Sequence, residues 1–151
     1  MSTSTKMSPT PRTILVVDDD ASVLTVVSYM LHSGGYDVIT TPNAEAALRV
    51  VGRDNPKIDL VLLNVLMPDL PGSALADHIF AIRPHIKVLF MSGYSDTEVV
   101  CVKIIDRGLK LLPMPFTSNV LVSAIDNMLS VPLRRSAAAG TNGGTSRSSR
   151  R

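Results

Sequence analysis

Three consecutive carboxylates, Asp18-Asp19-Asp20, follow the apolar run Ile14-Leu15-Val16-Val17, and an amide, Asn64, ends a second run, Leu60-Val61-Leu62-Leu63. Adjacent acids at a strand end suit a hard divalent cation such as Mg²⁺, which takes a few carboxylates, a carbonyl and waters. A third carboxylate at position 64 would complete a metal-assisted phosphoryl-transfer site. A carboxylate attacks an activated phosphoryl group and gives an acyl phosphate. The amide that stands at position 64 is a poor nucleophile, because its nitrogen lone pair is delocalised. Asp20 is expected to cap the helix that follows, and two further acids exceed what capping needs. The loop has no glycine to let a nucleotide phosphate approach the backbone.

Strand C-termini converge on one edge of a parallel α/β sheet, so both runs must be strands of such a sheet. Expected strands are 13–17, 36–40, 58–63, 86–91 and 109–112. Expected helices are 20–33, 43–53, 73–82, 95–107 and 117–130. Alternation of this kind implies βαβ units. The third and fourth strands are nearly continuous apolar runs, as befits strands buried on both faces. Asn43 and Thr117 are N-cap residues, and Ser95-Asp96-Thr97-Glu98 reads as a capping box. Gly34-Gly35 follows the first helix, where a left-handed C-cap is needed. Val120, Leu121, Ala124, Ile125, Met128 and Leu129 form one stripe on the last helix, which Pro132 stops. The fold class is α/β: a flavodoxin-like, doubly wound (βα)5 three-layer sandwich with a parallel five-stranded sheet in the order 2-1-3-4-5.

Charge divides the chain. Residues 13–131 carry 8 basic against 13 acidic residues, a net of −5, whereas the segments 1–12 and 132–151 carry seven basic residues and no acid. The pI of 8.9 therefore reflects the tails and argues against a nucleic-acid-binding fold. Segments 1–12 and 132–151 read as disordered by composition. With 4% aromatic residues and no Trp, the core must be aliphatic. No apolar stretch approaches the roughly 20 residues of a membrane span. The N-terminus lacks a signal-peptide h-region, and the single cysteine, Cys101, fits a reducing compartment, so the expected location is cytoplasmic. His32, His78 and His85 show no metal-ligand spacing.

Residues 13–130 resemble the receiver domains of two-component response regulators. The matching segments are Ile14 to Asp20, Asp59 to Pro68 with Gly72, Val88 to Tyr94, and Leu111 to Thr117. By that resemblance Asp18 and Asp19 would hold Mg²⁺, weakly, with the Leu66 carbonyl as a further ligand. Ser92 would be the switch hydroxyl that meets the phosphoryl group. Asn64 falls on the phosphoacceptor aspartate, Met114 on the phosphate-pairing lysine, and Leu111 on a switching aromatic residue. The resemblance also implies a cis peptide bond at Met114–Pro115. The usual pocket has three carboxylates and an ammonium, formally −2. Asp18 and Asp19 alone also give −2, so the replacements at 64 and 114 compensate. Plainer readings are that Met114 fills space beside Met67 and Met91, and that Asp18 and Asp19 hold the loop.

The resemblance implies a histidine kinase, or another two-component protein, as partner. The fourth helix carries Val99, Val100, Val102, Ile104 and Ile105, more apolar surface than one core face needs. That points to a contact or homodimer face made with the fifth strand and fifth helix, with Val99, Val100, Lys103 and Lys110 as its candidate residues. The reading is a pseudo-receiver in phosphorelay signal transduction, not an enzyme, acting by protein contact as a stand-alone regulator or kinase decoy. The alternatives are phosphorylation at a substitute acceptor (Ser92, Asp69 or Asp20) and a flavodoxin-like nucleotide-binding protein.

Overall fold

The computed structural model describes residues 11–93 and 98–130, with the side chains of Glu98 and Val99 excepted. Five strands, β1 (Thr13–Val17), β2 (Asp37–Thr41), β3 (Leu60–Asn64), β4 (Lys87–Ser92) and β5 (Lys110–Pro113), alternate with five helices. The helices are α1 (Ala21–Ser33), α2 (Ala44–Val51), α3 (Gly72–Ile82), α4 (Glu98–Asp106) and α5 (Ser118–Ser130). All strand pairs are parallel, in the order β2-β1-β3-β4-β5. The expected fold class and strand order are those of the structure.

Alternation along the central strands divides the core into two apolar layers. Leu15, Val17, Val61, Leu63, Val88 and Phe90 face one side, and α2, α3 and α4 cover them with Ala47, Val51, Leu75, Ile79 and Ile104. Ile14, Val16, Leu60, Leu62, Leu89 and Met91 face the other, under Val27 and Leu31 of α1 and Leu121 and Ile125 of α5. Residues 60–63 are wholly buried, as a strand covered on both faces requires. Because side chains alternate, a one-residue slip of β3 would exchange its two faces, so the register is tightly specified.

The local signals behave as their chemistry demands. Asp20 accepts from the Ser22 amide at 2.9 Å, and Asn43 from the Ala46 amide at 2.8 Å. Thr117 Oγ1 accepts from the Val120 amide at 3.2 Å. At the end of α1 the Tyr36 amide donates to Leu31 O and the Gly35 amide to His32 O. Gly35, at φ 92°, supplies the left-handed turn that this motif requires.

β1 lies where expected, and the other boundaries within the described residues agree or shift by one or two residues. β3 starts at Leu60, not Ile58, because Asp59 leaves the ladder: its amide donates to Thr13 O and its carboxylate accepts from the Thr13 amide. α3 starts at Gly72, one residue early, since Pro71 sets the entry and has no side-chain cap to offer. The capping box at 95–98, Pro132 and the segment 132–151 lie outside the described residues, as does all of 1–12 but Pro11 and Arg12. Arg12 itself is tied down, its guanidinium donating to Leu129 O. Among the described residues no helix is long and apolar enough to cross a membrane.

Candidate functional site

The C-terminal ends of β1, β3 and β4 bring Asp18, Asn64 and Ser92 to one edge of the sheet. Asp18 follows β1 and is 1% exposed. One of its carboxylate oxygens accepts from the Asp20 amide at 2.9 Å. The other, Oδ2, is buried and has no hydrogen-bond partner among the described residues. Burial is the main cause that raises the Asp18 carboxyl above its ordinary value, and the neighbouring charges of Asp19 and Asp20 add to it. The Asp20 amide and, less strongly, the Asn64 side chain oppose that shift. Asp19 is exposed beside it. Asp20, fully exposed, is pulled below its ordinary value by hydrogen bonds to Ser22.

Asn64 is the last residue of β3, opposite Met91 of β4. Its Oδ1 accepts from the Leu66 amide at 3.4 Å, so the side chain folds the following loop onto itself. Val65 and Met67 anchor that loop in the core, and Leu66 stands 41% exposed between them. The loop then closes on α3: the Gly72 amide donates to Val65 O at 2.9 Å. A Cβ built on Gly72 would lie 2.5 Å from Asn64 O and 2.7 Å from Val65 O. Only glycine fits there; the resemblance marked Gly72, but nothing local in the sequence shows this close approach.

Ser92 ends β4 and is buried. Its carbonyl accepts from the Met114 amide at 2.7 Å, which ties the β5–α5 loop to the site. The Met114–Pro115 bond is cis, as the resemblance implied. The Met114 methyl reaches to 3.8 Å from where a Cβ on Gly93 would be. Position 114 therefore meets the site with a thioether. Met114 packs with the layer of Met91, whereas Met67 belongs to the opposite layer, so the three methionines do not form one cluster. Leu111 pairs with Phe90 and packs in the α4-side layer.

The other acids near this edge are committed. Asp69 Oδ2 accepts from the Ala44 amide at 3.0 Å at the start of α2, and Asp20 caps α1. Among the described residues no three His, Cys, Asp or Glu side chains come together as a metal cluster. The resemblance names Asp18, Asp19 and the Leu66 carbonyl as the donors a cation would need. The partnerless Oδ2 of Asp18 is the observation that fits a cation here.

On α4, Ile104 is buried and Val100 half-buried against the core, while Val102 and Ile105 are 45% and 55% exposed. Lys103 and Lys110 are exposed on α4 and β5. The side chain of Val99 lies outside the described residues.

Comparison with known proteins gives one family. Residues 14–126 match the model described as response regulator receiver domain. The chain is 38% identical over 118 residues to the DNA-binding transcriptional regulator NtrC of Azospirillum brasilense, covering 78% of this chain and 24% of that protein. It is 29% identical over 117 residues to the sensor kinase CckA of Brucella abortus, covering 12% of it. The chain thus spans about a quarter or less of these relatives. Among solved structures, the receiver domain of NtrX from Brucella abortus superposes with a TM-score of 0.71 at 28% identity, covering 79% of this chain and 99% of that one. A receiver domain protein from Clostridium thermocellum gives a TM-score of 0.72 at 28% identity, covering 79% and 94%.

Proposed function

The chain belongs to the response regulator receiver domain family of two-component signalling, and from that premise we propose that it is a pseudo-receiver, working by protein contact without forming an aspartyl phosphate. The observation that carries the reading is Asn64 at the end of β3, its Oδ1 engaged by the Leu66 amide. An amide there offers no nucleophilic oxygen anion, and the hydrogen bond holds the loop without any phosphoryl group. Met114 supports the same reading, because phosphoryl transfer depends on cations that offset the spreading negative charge and a thioether supplies none. Two carboxylates without an ammonium carry the same formal charge as three with one, so the pocket tolerates both replacements together.

A weakly bound Mg²⁺ belongs to this proposal. Asp18 Oδ2, Asp19 and the Leu66 carbonyl would hold it, and it would supply positive charge beside two crowded acids. Its effect in this chain would be structural: the buried, charged form of Asp18 would gain the partner it lacks. Ser92, without an acceptor carboxylate beside it, serves to anchor the Met114 amide. The substitute-acceptor reading is disfavoured because Asp20 and Asp69 are already engaged at helix N-termini.

Members of this family work with histidine kinases and other signalling proteins. For this chain the contact face is proposed to be α4 with β5 and α5, where Val102 and Ile105 are exposed on α4 together with Lys103, and Lys110 on β5, with Val99 and Val100 on the same helix. A cytoplasmic setting and the lack of enzymatic turnover are parts of the same proposal. The test is an amide NMR titration with beryllium fluoride and Mg²⁺, a phosphoryl mimic that needs an acceptor carboxylate. Wild type is expected to show no beryllium-dependent shifts beyond those of Mg²⁺ alone, and Asn64→Asp to show them around residues 64–68 and 92. Beryllium-dependent shifts of equal size in wild type would refute the proposal.

A further inference from the structure

The Asp18-Asp19-Asp20 cluster and a group of basic residues lie at opposite ends of this sheet. Below the N-terminal ends of the strands, a cavity of about 760 Å³ opens between the entry to β1, the α2–β3 loop, the α3–β4 loop and the end of α5. Arg12, Arg53, Lys57, Arg83, His85 and Lys87 line it. Four of the 8 Lys and Arg residues between 13 and 131 thus surround one cavity, in a body whose net charge is −5. The two acids there are engaged: Asp59 accepts from the Thr13 amide at 2.8 Å, and Asp54 pairs with Arg83 at 3.3 Å.

Three of the five Lys and Arg side chains have a structural duty. Arg12 donates to Leu129 O, Arg83 to Val51 O and Arg53 O, and Lys87 to Met128 O. These carbonyls end α2 and α5, where cations satisfy free acceptors and suit the helix dipole. The side chains of Arg53, Lys57 and His85 make no hydrogen bond or ion pair with any described residue. Helix capping therefore explains three of the six and leaves three donors facing the cavity. The remaining wall is apolar, with Val51, Ile58, Ile86 and Leu129. Its size falls in the range of small-molecule sites, which combine an apolar wall with a few convergent polar groups. A bare anion would use the donors but not the wall.

We propose that this cavity binds a nucleoside phosphate, the base against the apolar wall and the phosphates on Arg53, Lys57 and His85. The site is remote from Asn64 and independent of whether position 64 accepts a phosphoryl group. The experiment is an amide NMR titration of the full chain in metal-free buffer with ATP, and with adenosine and inorganic pyrophosphate as separate arms. Saturable ATP shifts centred on residues 51–58 and 83–87 are expected, with each fragment binding at least about tenfold more weakly. Arg53→Glu with Lys57→Glu should weaken ATP at least about tenfold at an unchanged Tm, since both side chains are exposed. The milder pair Arg53→Gln with Lys57→Gln should weaken it in the same direction, and Glu45→Gln, exposed in the first turn of α2 at the opposite end, should leave it unchanged. No saturable shift, shifts centred on residues 18–20, wild-type affinity in both double variants, or pyrophosphate binding as tightly as ATP would each overturn the proposal.

Discussion

Gly72→Ala is expected to cost about 2 kcal/mol, and the structure says why. The new Cβ would lie 2.5 Å from Asn64 O and 2.7 Å from Val65 O, below the 3.0 Å that such contacts keep. Both atoms are backbone, fixed by the β3 ladder and the core side chains of Leu63 and Val65, so neither can rotate away. The start of α3 must retreat by about half an ångström. That stretches the 2.9 Å bond from the Gly72 amide to Val65 O towards its limit and leaves a buried acceptor poorly paired. The gain in helix propensity, at most about 1 kcal/mol in a helix interior, is small at a first helical position. Gly93→Ala is the matched control at the same edge. Among the described residues its Cβ would meet only the Met114 methyl at 3.8 Å, an ordinary contact, and the expected change is within about 0.5 kcal/mol. Urea unfolding followed by circular dichroism reads both, with an unchanged slope required for a clean comparison. Equal stability of the two variants would refute the close-approach argument.

Four further outcomes are expected. Asn64→Asp in metal-free buffer should lower stability by about 1–2 kcal/mol at neutral pH, by adding a third carboxylate beside the partnerless Asp18 oxygen, and Mg²⁺ should restore it; a melt without Mg²⁺ dependence would count against the proposed cation site. Asp18 titrates above its ordinary value of 3.8, so its charged form costs stability that appears as pH rises through that value and is fully felt above the raised one; Asp18→Asn should remove this part of the pH profile and be more stable at neutral pH without metal. The Tyr36 hydroxyl donates to Asp126, and burial first, then that carboxylate, raise its pKa, so alkaline titration by ultraviolet absorbance should show Tyr36 ionising late, a delay that Asp126→Asn should shorten. Arg83→Ala should speed amide exchange in residues 51–57 and cost about 1 kcal/mol, because it removes donors to Val51 O and Arg53 O together with the Asp54 pair.

Much of this architecture could be read from the sequence because its signals are local. The Gly34-Gly35 pair, the Asp20 and Asn43 caps and the unbroken apolar runs of β3 and β4 each specify their own structure within a few residues. The site edge was equally legible, since parallel strands must place Asp18, Asn64 and Ser92 on one side. What escaped was set by packing between distant segments. Asp59 leaves β3 because it finds the Thr13 amide, 46 positions away. Gly72 is needed because α3 lands on the carbonyls of Asn64 and Val65. The basic cavity draws its residues from the entry to β1, the α2–β3 loop, the α3–β4 loop and the end of α5, which only the fold brings together. The separation of Met114 from Met67 likewise depends on which face of the sheet each loop reaches.

The most direct test of the central claim is intact-mass analysis after incubation with acetyl phosphate and Mg²⁺, on wild type, Asn64→Asp, and Asn64→Asp with Met114→Lys. The account predicts no phosphoryl adduct on wild type and a Mg²⁺-dependent adduct on the double variant, whose pocket regains both the nucleophile and the cation. A Mg²⁺-dependent adduct on wild type would contradict it and place the acceptor at another residue.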